Sequence, residues 1–150
     1  MPGITVGVDG SDNSRRALGW AMREAVQHQV PLTVVSVHPP PARPATGIYW
    51  GVHASPDNSF DPQLARTAVQ EFVDKVASET GGTAPEVAVT IVTGDPAEEL
   101  VRASHDSDLL VVGARGSGGF VRLRLGSVGS QVTHHASCPV VIVPGTSPAS

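Results

Sequence analysis

A single cysteine, Cys138, is all this chain has. An internal disulfide is therefore excluded, and a lone thiol fits a reducing compartment. Aromatic residues are scarce: three Phe, two Trp and one Tyr. Every apolar run falls far short of the roughly 20 residues a membrane helix needs. The amino terminus lacks the basic region and long apolar run of a secretory signal. These absences lead to the expectation of a cytoplasmic protein with no membrane partner. Acid is missing from the chain's end, since no Asp or Glu follows Asp108. Arg115, Arg122 and Arg124 give residues 109–150 a formal +3; the whole chain carries −4, so residues 1–108 carry −7. An acidic chain is a poor general binder of nucleic acid. Its positive charge is kept where a bound anion would use it.

The 150 residues fit one domain over 1–150 with a sizeable core. Ile4–Val8 reads as a short apolar strand. Asp9-Gly10-Ser11 then turns, and Ser11 to Ser14 offers helix caps. Ala17, Leu18, Ala21 and Ala25 recur at helical spacing, with Trp20 nearby. Leu32–Val37 is a second strand, also apolar throughout, as a sheet covered on both faces requires. From about 38 to 60 the rhythm breaks. Pro39, Pro40, Pro41, Pro44 and Pro56 make this a proline-rich loop insertion. Tyr49 and Trp50 within it either anchor the loop or cover a ligand or partner surface.

Asp61-Pro62 starts a second helix with Leu64, Ala68, Phe72, Val73 and Val76 on one broad face, and Gly81-Gly82 ends it. Val87–Val92 is a third strand, interrupted by Thr90. Asp95-Pro96 opens a short helix carrying Ala97, Leu100, Val101 and Ser104. Asp108–Val112 is strand four, Gly126–Ala136 a helix, and Val140–Val143 strand five. Strands alternate with helices, which implies a mainly parallel α/β sheet with right-handed crossovers. Such sheets bind ligands beyond the strands' carboxyl ends, where strand order reverses.

The richest chemistry lies after strand four. Gly113 ends the strand, where a side chain would obstruct a ligand lying across the sheet edge. Gly116, Gly118 and Gly119 free the backbone to turn its N–H groups toward an anion. Gly126-Ser127 opens the next helix, whose first N–H groups, Val128 included, suit a phosphate. An ordinary glycine-rich surface loop with a serine cap is the plainer alternative. No G-x-x-x-x-G-K-[ST] run occurs, so this is not a P-loop. Gly7-Val8-Asp9-Gly10-Ser11 is not a dinucleotide fingerprint. Asp9 either accepts from ribose hydroxyls or caps the first helix.

Four blocks carry a resemblance: Val6-Gly-Val-Asp9-Gly-Ser11, Gly94-Asp95-Pro96-Ala97, Gly113-x-x-Gly116 followed after nine residues by Gly126-Ser127, and Cys138-Pro139-Val140-Val-Ile-Val143-Pro144. Together they span nearly the whole chain, which resembles the universal stress protein family, in its single-domain, UspA-like, adenine-nucleotide-binding branch. That resemblance implies a doubly wound, five-stranded sheet of order 3-2-1-4-5. It implies a stress-response or regulatory protein binding ATP, or else AMP or cyclic AMP, with Mg2+ reaching the site only through the phosphates. By the same likeness Val8 and Asp9 meet the ribose and adenine, and Val37 reads the adenine through its backbone. Gly113 contacts ribose, while Arg115, Gly116, Gly126, Ser127 and Val128 hold the phosphates. A cyclic-AMP binder, a slow ATP hydrolase and a structural protein without nucleotide are the alternatives.

Other candidates carry less chemistry. His134 and His135 are adjacent on one helix and do not converge, and His28, His38, His53 and His105 are scattered, so no metal-ligand spacing emerges. Cys138 has no local base and reads as a packed thiol. Asp95 reads as a helix cap. No residue stands out as a general base, so binding is preferred to turnover and no catalytic residue is assigned. In the expected strand order, Val140–Val143 is a wholly apolar edge, and pairing with a second copy would protect it as a homodimer. The downstream protein partner is not legible.

Overall fold

The computed structural model describes residues 3–38, 61–114 and 127–145. Nine elements follow in order: β1 (Ile4–Val8), α1 (Asp12–His28), β2 (Leu32–His38), α2 (Pro62–Thr80), β3 (Val87–Thr93), α3 (Pro96–Ser104), β4 (Leu109–Gly113), α4 (Ser127–His135) and β5 (Val140–Val143). The strands form one sheet ordered β3-β2-β1-β4-β5, with every neighbouring pair parallel. This is the doubly wound α/β architecture expected from the alternation of elements and the family resemblance.

Two cores sandwich the sheet. On one face Ile4, Val6, Val8, Leu32, Val34 and Val111 pack against Leu18 and Met22 of α1 and Val69, Val73 and Val76 of α2. On the other, Val35, Leu110 and Val112 meet Leu100 of α3 and Val132 of α4. The central strands feed both faces, so apolar residues follow one another along them, broken in β1 by Thr5 and in β2 by Thr33, Ser36 and His38. Gly7 belongs to the second face. A Cβ there would lie 2.9 Å from a Leu100 methyl, so α3 crosses β1 at backbone distance.

Helix starts follow capping chemistry. Ser11 caps α1 by accepting from the Ser14 N–H. Asp61 caps α2 and Asp95 caps α3, each followed by proline in the first turn. Gly81 and Gly82 end α2 at φ 64° and 90°, in backbone that favours glycine.

Several expected boundaries and faces shift. β2 runs through His38, so the proline-rich segment starts after it; residues 39–60, with Tyr49 and Trp50, lie outside those described. β4 runs from Leu109 to Gly113, because Gly113 still pairs with Val143. α4 begins at Ser127 and ends at His135. In α2 the buried stripe is Ala65, Val69, Val73 and Val76, whereas Leu64 is 42% exposed. Phe72 is only partly buried, so the packed face is rotated from the one expected. Thr90 does not interrupt β3. It takes an outward position in an edge strand whose alternate residues are exposed. No described helix is long and apolar enough to cross a membrane.

Candidate functional site

β1 and β4 meet where the connections turn to opposite sides of the sheet, the switch point of a doubly wound fold. Their ladder holds Ile4/Leu109, Thr5/Leu110 and Val6/Val111, and then stops. On the outer sides pairing continues, from β1 to β2 as far as Val8/Ser36 and from β4 to β5 as far as Gly113/Val143. The strands therefore part above Val6 and Val111. Gly7 and Val8 border the gap on one side, Val112 and Gly113 on the other. Val8 is buried against α1, so it offers the gap its backbone.

The start of α1 stands over this gap. Asp9 Oδ1 accepts from the Ser11 N–H at 2.9 Å and the Ser11 hydroxyl at 2.5 Å. Ser14 Oγ donates to the Ser11 carbonyl at 3.0 Å and accepts from the Asp9 N–H at 3.3 Å. Asp9 thus holds the turn that leads into the helix rather than capping α1, as the plainer expectation had it; the cap is Ser11.

Gly113 is tied to the same helix. A Cβ on it would lie 3.0–3.2 Å from Asn13 Cγ, O and C. α1 needs this glycine to approach β4, whatever else it admits. Asn13 Nδ2 donates to the Val143 carbonyl at 3.2 Å, which also accepts from the Ala114 N–H at 2.9 Å. From sequence, Asn13 has no role of its own and Ser14 only that of a helix-cap residue. Only the strand order, which sets β4 and β5 beside β1, brings them to the site.

Val37 lies one strand away. Leu32 and His38 exchange backbone bonds with the β3 side, whereas the Pro31 carbonyl serves β1. Alternation along a strand therefore turns the Val37 carbonyl toward β1, beyond the last β1–β2 pair. Its side chain packs into the second core. His38 is buried, with Nε2 2.9 Å from Ser36 Oγ. Ser127 is exposed at the start of α4, and Val128 packs into the second core. α4, like α2, has no acidic residue in its first turn, while α1 has Asp12 and α3 has Glu98 and Glu99. Anions favour such a terminus. Arg115, Gly116 and Gly126 lie outside the described residues, as do Gly118, Gly119, Arg122 and Arg124.

No group of three or more His, Cys, Asp or Glu placed to hold a metal occurs among the described residues. Asp95 accepts from the Glu98 N–H at 3.0 Å, as a cap does. Cys138 is half-buried in the second core. Burial, and then the Asp108 carboxylate, push its thiol above the ordinary range, opposed by a backbone hydrogen bond with Leu110.

Comparison with known proteins gives this geometry a context. A universal stress protein from Mycolicibacterium smegmatis is 34% identical over 99% of this chain and 50% of its own length. The chain spans about half the length of the curated relatives it matches. A universal stress protein solved in complex with cAMP superposes with a TM-score of 0.66 at 26% identity, covering 96% of this chain and 97% of that one. The universal stress protein from Archaeoglobus fulgidus, in complex with dAMP, gives 0.61 at 26% identity, covering 93% and 94%. The sequence profile of the universal stress protein family matches residues 2–144. By that match, over nearly its whole length, the chain belongs to the universal stress protein family.

Proposed function

We propose that this protein binds an adenine nucleotide over the carboxyl ends of β2, β1 and β4, and acts as a regulatory binding protein in the cytoplasm. The observation that carries the reading is the parting of β1 from β4 above Val6 and Val111, while both strands stay paired on their outer sides. Two relatives of the same fold, each 26% identical, hold cAMP and dAMP. The shared part of those ligands is adenine, a pentose and one phosphate.

In this reading the Val37 carbonyl accepts from the adenine amino group. Val8, Asp9 and Gly113 border the ribose. Gly116, Gly126, Ser127 and Val128 give backbone and hydroxyl donors to the phosphates, with Arg115 alongside. ATP is the first choice, because the glycine-rich stretch is long and carries arginines. Mg2+ would enter as the counter-ion of those phosphates. Donors fixed on a bound phosphate hold ground state and transition state alike, which favours retention over turnover.

Calorimetric titration with ATP, AMP, cAMP and dAMP tests this. One saturable site for at least one of them is expected. No binding of any of the four overturns the reading. Repeated phosphate release from ATP at about one per second, a slow but ordinary enzymatic rate, would make the protein an enzyme instead.

A further inference from the structure

A second concavity lies away from the β1–β4 gap, on the outer flank of α1. It is a groove of about 430 Å³ between residues 15–23 of α1, the last two turns of α2 and the end of β5. Its floor is apolar, formed by Trp20, Val76 and Val143. Gly19 deepens it. A Cβ there would project toward the Val76 methyl at 3.8 Å and the Arg23 guanidinium at 3.5 Å.

The rim is basic in a chain whose net charge is −4. Arg15, Arg16 and Arg23 line the groove against one acid, Glu79. Arg15 pairs with Glu79, and Arg16 donates to the Pro144 carbonyl at 3.1 Å. Arg23 is exposed and has no hydrogen-bond or ion-pair partner among the described residues. Arg16 and Arg23 are seven residues apart, about 10 Å along a helix rising 1.5 Å per residue. An extended peptide covers that distance in about three residues.

We infer that this groove docks an acidic segment of a partner protein, with an apolar side chain over Trp20 and carboxylates set about 10 Å apart for Arg16 and Arg23. Tryptophan and arginine are the residues that anchor interfaces most often. The exposed ion pairs set orientation and encounter more than affinity. The inference is independent of nucleotide binding, since no groove residue belongs to the proposed nucleotide site.

The probe is the capped peptide Ala-Glu-Glu-Leu-Glu-Glu-Ala, titrated into the isotope-labelled full chain without nucleotide. Saturable amide shifts are expected in residues 15–23 of α1 and the last two turns of α2. Arg23→Glu should weaken binding about fivefold, the scale of an exposed ion pair turned into repulsion. Arg102→Glu, on α3, should leave it unchanged. A peptide with serine for leucine should bind more weakly, and one with lysines for glutamates should not bind. No saturation at millimolar peptide overturns the inference. So does equal loss in Arg102→Glu, which marks diffuse attraction, and so does binding of anionic lipid vesicles that Arg23→Glu abolishes while the peptide stays inert.

Discussion

At the scale of single residues, Gly113 shows how one position answers to two demands. Loop chemistry after strand four points to it as a ligand contact, and α1 requires it for packing. Its missing Cβ lets Asn13 approach β4, with backbone atoms 3.1–3.2 Å from where that Cβ would sit. Gly113→Ala is expected to destabilise the fold by about 1–3 kcal/mol, the usual cost of forcing atoms into a packed site. Urea unfolding reads this directly; a wild-type midpoint would remove α1 packing as the reason for glycine. Cys138 gives a second test. Its folded thiol holds its proton above the ordinary range, through burial first and the Asp108 charge second. A thiol raised on folding stabilises the native state below its unfolded pKa, and that contribution fades as pH rises through the folded pKa. Asp108→Asn keeps an acceptor for the Gly3 N–H, which bonds Oδ2 at 3.0 Å. It removes the charge, so alkylation of Cys138 at mildly alkaline pH should speed up. An unchanged rate would assign the shift to burial alone.

At the scale of elements, the sequence was most readable where local chemistry decides. Ser11, Asp61 and Asp95 mark helix starts because their oxygens take N–H groups that a helix cannot satisfy itself. Faces were harder. Leu64 fits the apolar repeat of α2, yet α1 and the sheet take the stripe through Ala65 and Val69, and periodicity alone does not register a helix against its neighbours. Thr90 looks like a break until β3 is known to be an edge strand, where a polar residue may face water at no cost. The candidate site was legible in part. Asp9, Val37 and Gly113 sit at strand ends that the α/β alternation picks out, whereas Asn13 reaches the site only through long-range strand order. The start of α4 carries the phosphate proposal. Gly126→Asp would set a negative charge beside bound phosphates, where like charges repel at short range. Nucleotide affinity should collapse in a protein with wild-type circular dichroism. Wild-type affinity in a folded variant would exclude this helix start as the phosphate contact.

Across the whole molecule, the two sheet edges differ. At β3 the Arg66 guanidinium donates to the Val89 carbonyl at 3.0 Å, which caps an outward backbone group. At β5 the inward bonds run through Pro139 and Val143, so the backbone groups of Val140 and Ile142 face outward. Unpaired edges invite pairing, and a two-fold axis would match two such residues with their copies. A homodimer through β5 is the expected state. Sedimentation at micromolar concentration should show a dimer for the wild-type chain and weaker association for Ile142→Lys. A wild-type monomer would defeat the proposal.

The short β1–β4 ladder has a mechanical meaning. Its amino end is stitched three times over: Gly3 and Asp108 exchange two bonds, with the Asp108 N–H reaching the Gly3 carbonyl at 2.8 Å, and the Thr5 and Ser107 hydroxyls meet at 2.6 Å. Its carboxyl end is unlaced. The sheet therefore resembles a book bound along its lower spine, with β3-β2-β1 as one cover and β4-β5 as the other. α1 packs over both covers, and its first turn, clasped to Val143 by Asn13 at 3.2 Å, bridges the top that the ladder leaves open.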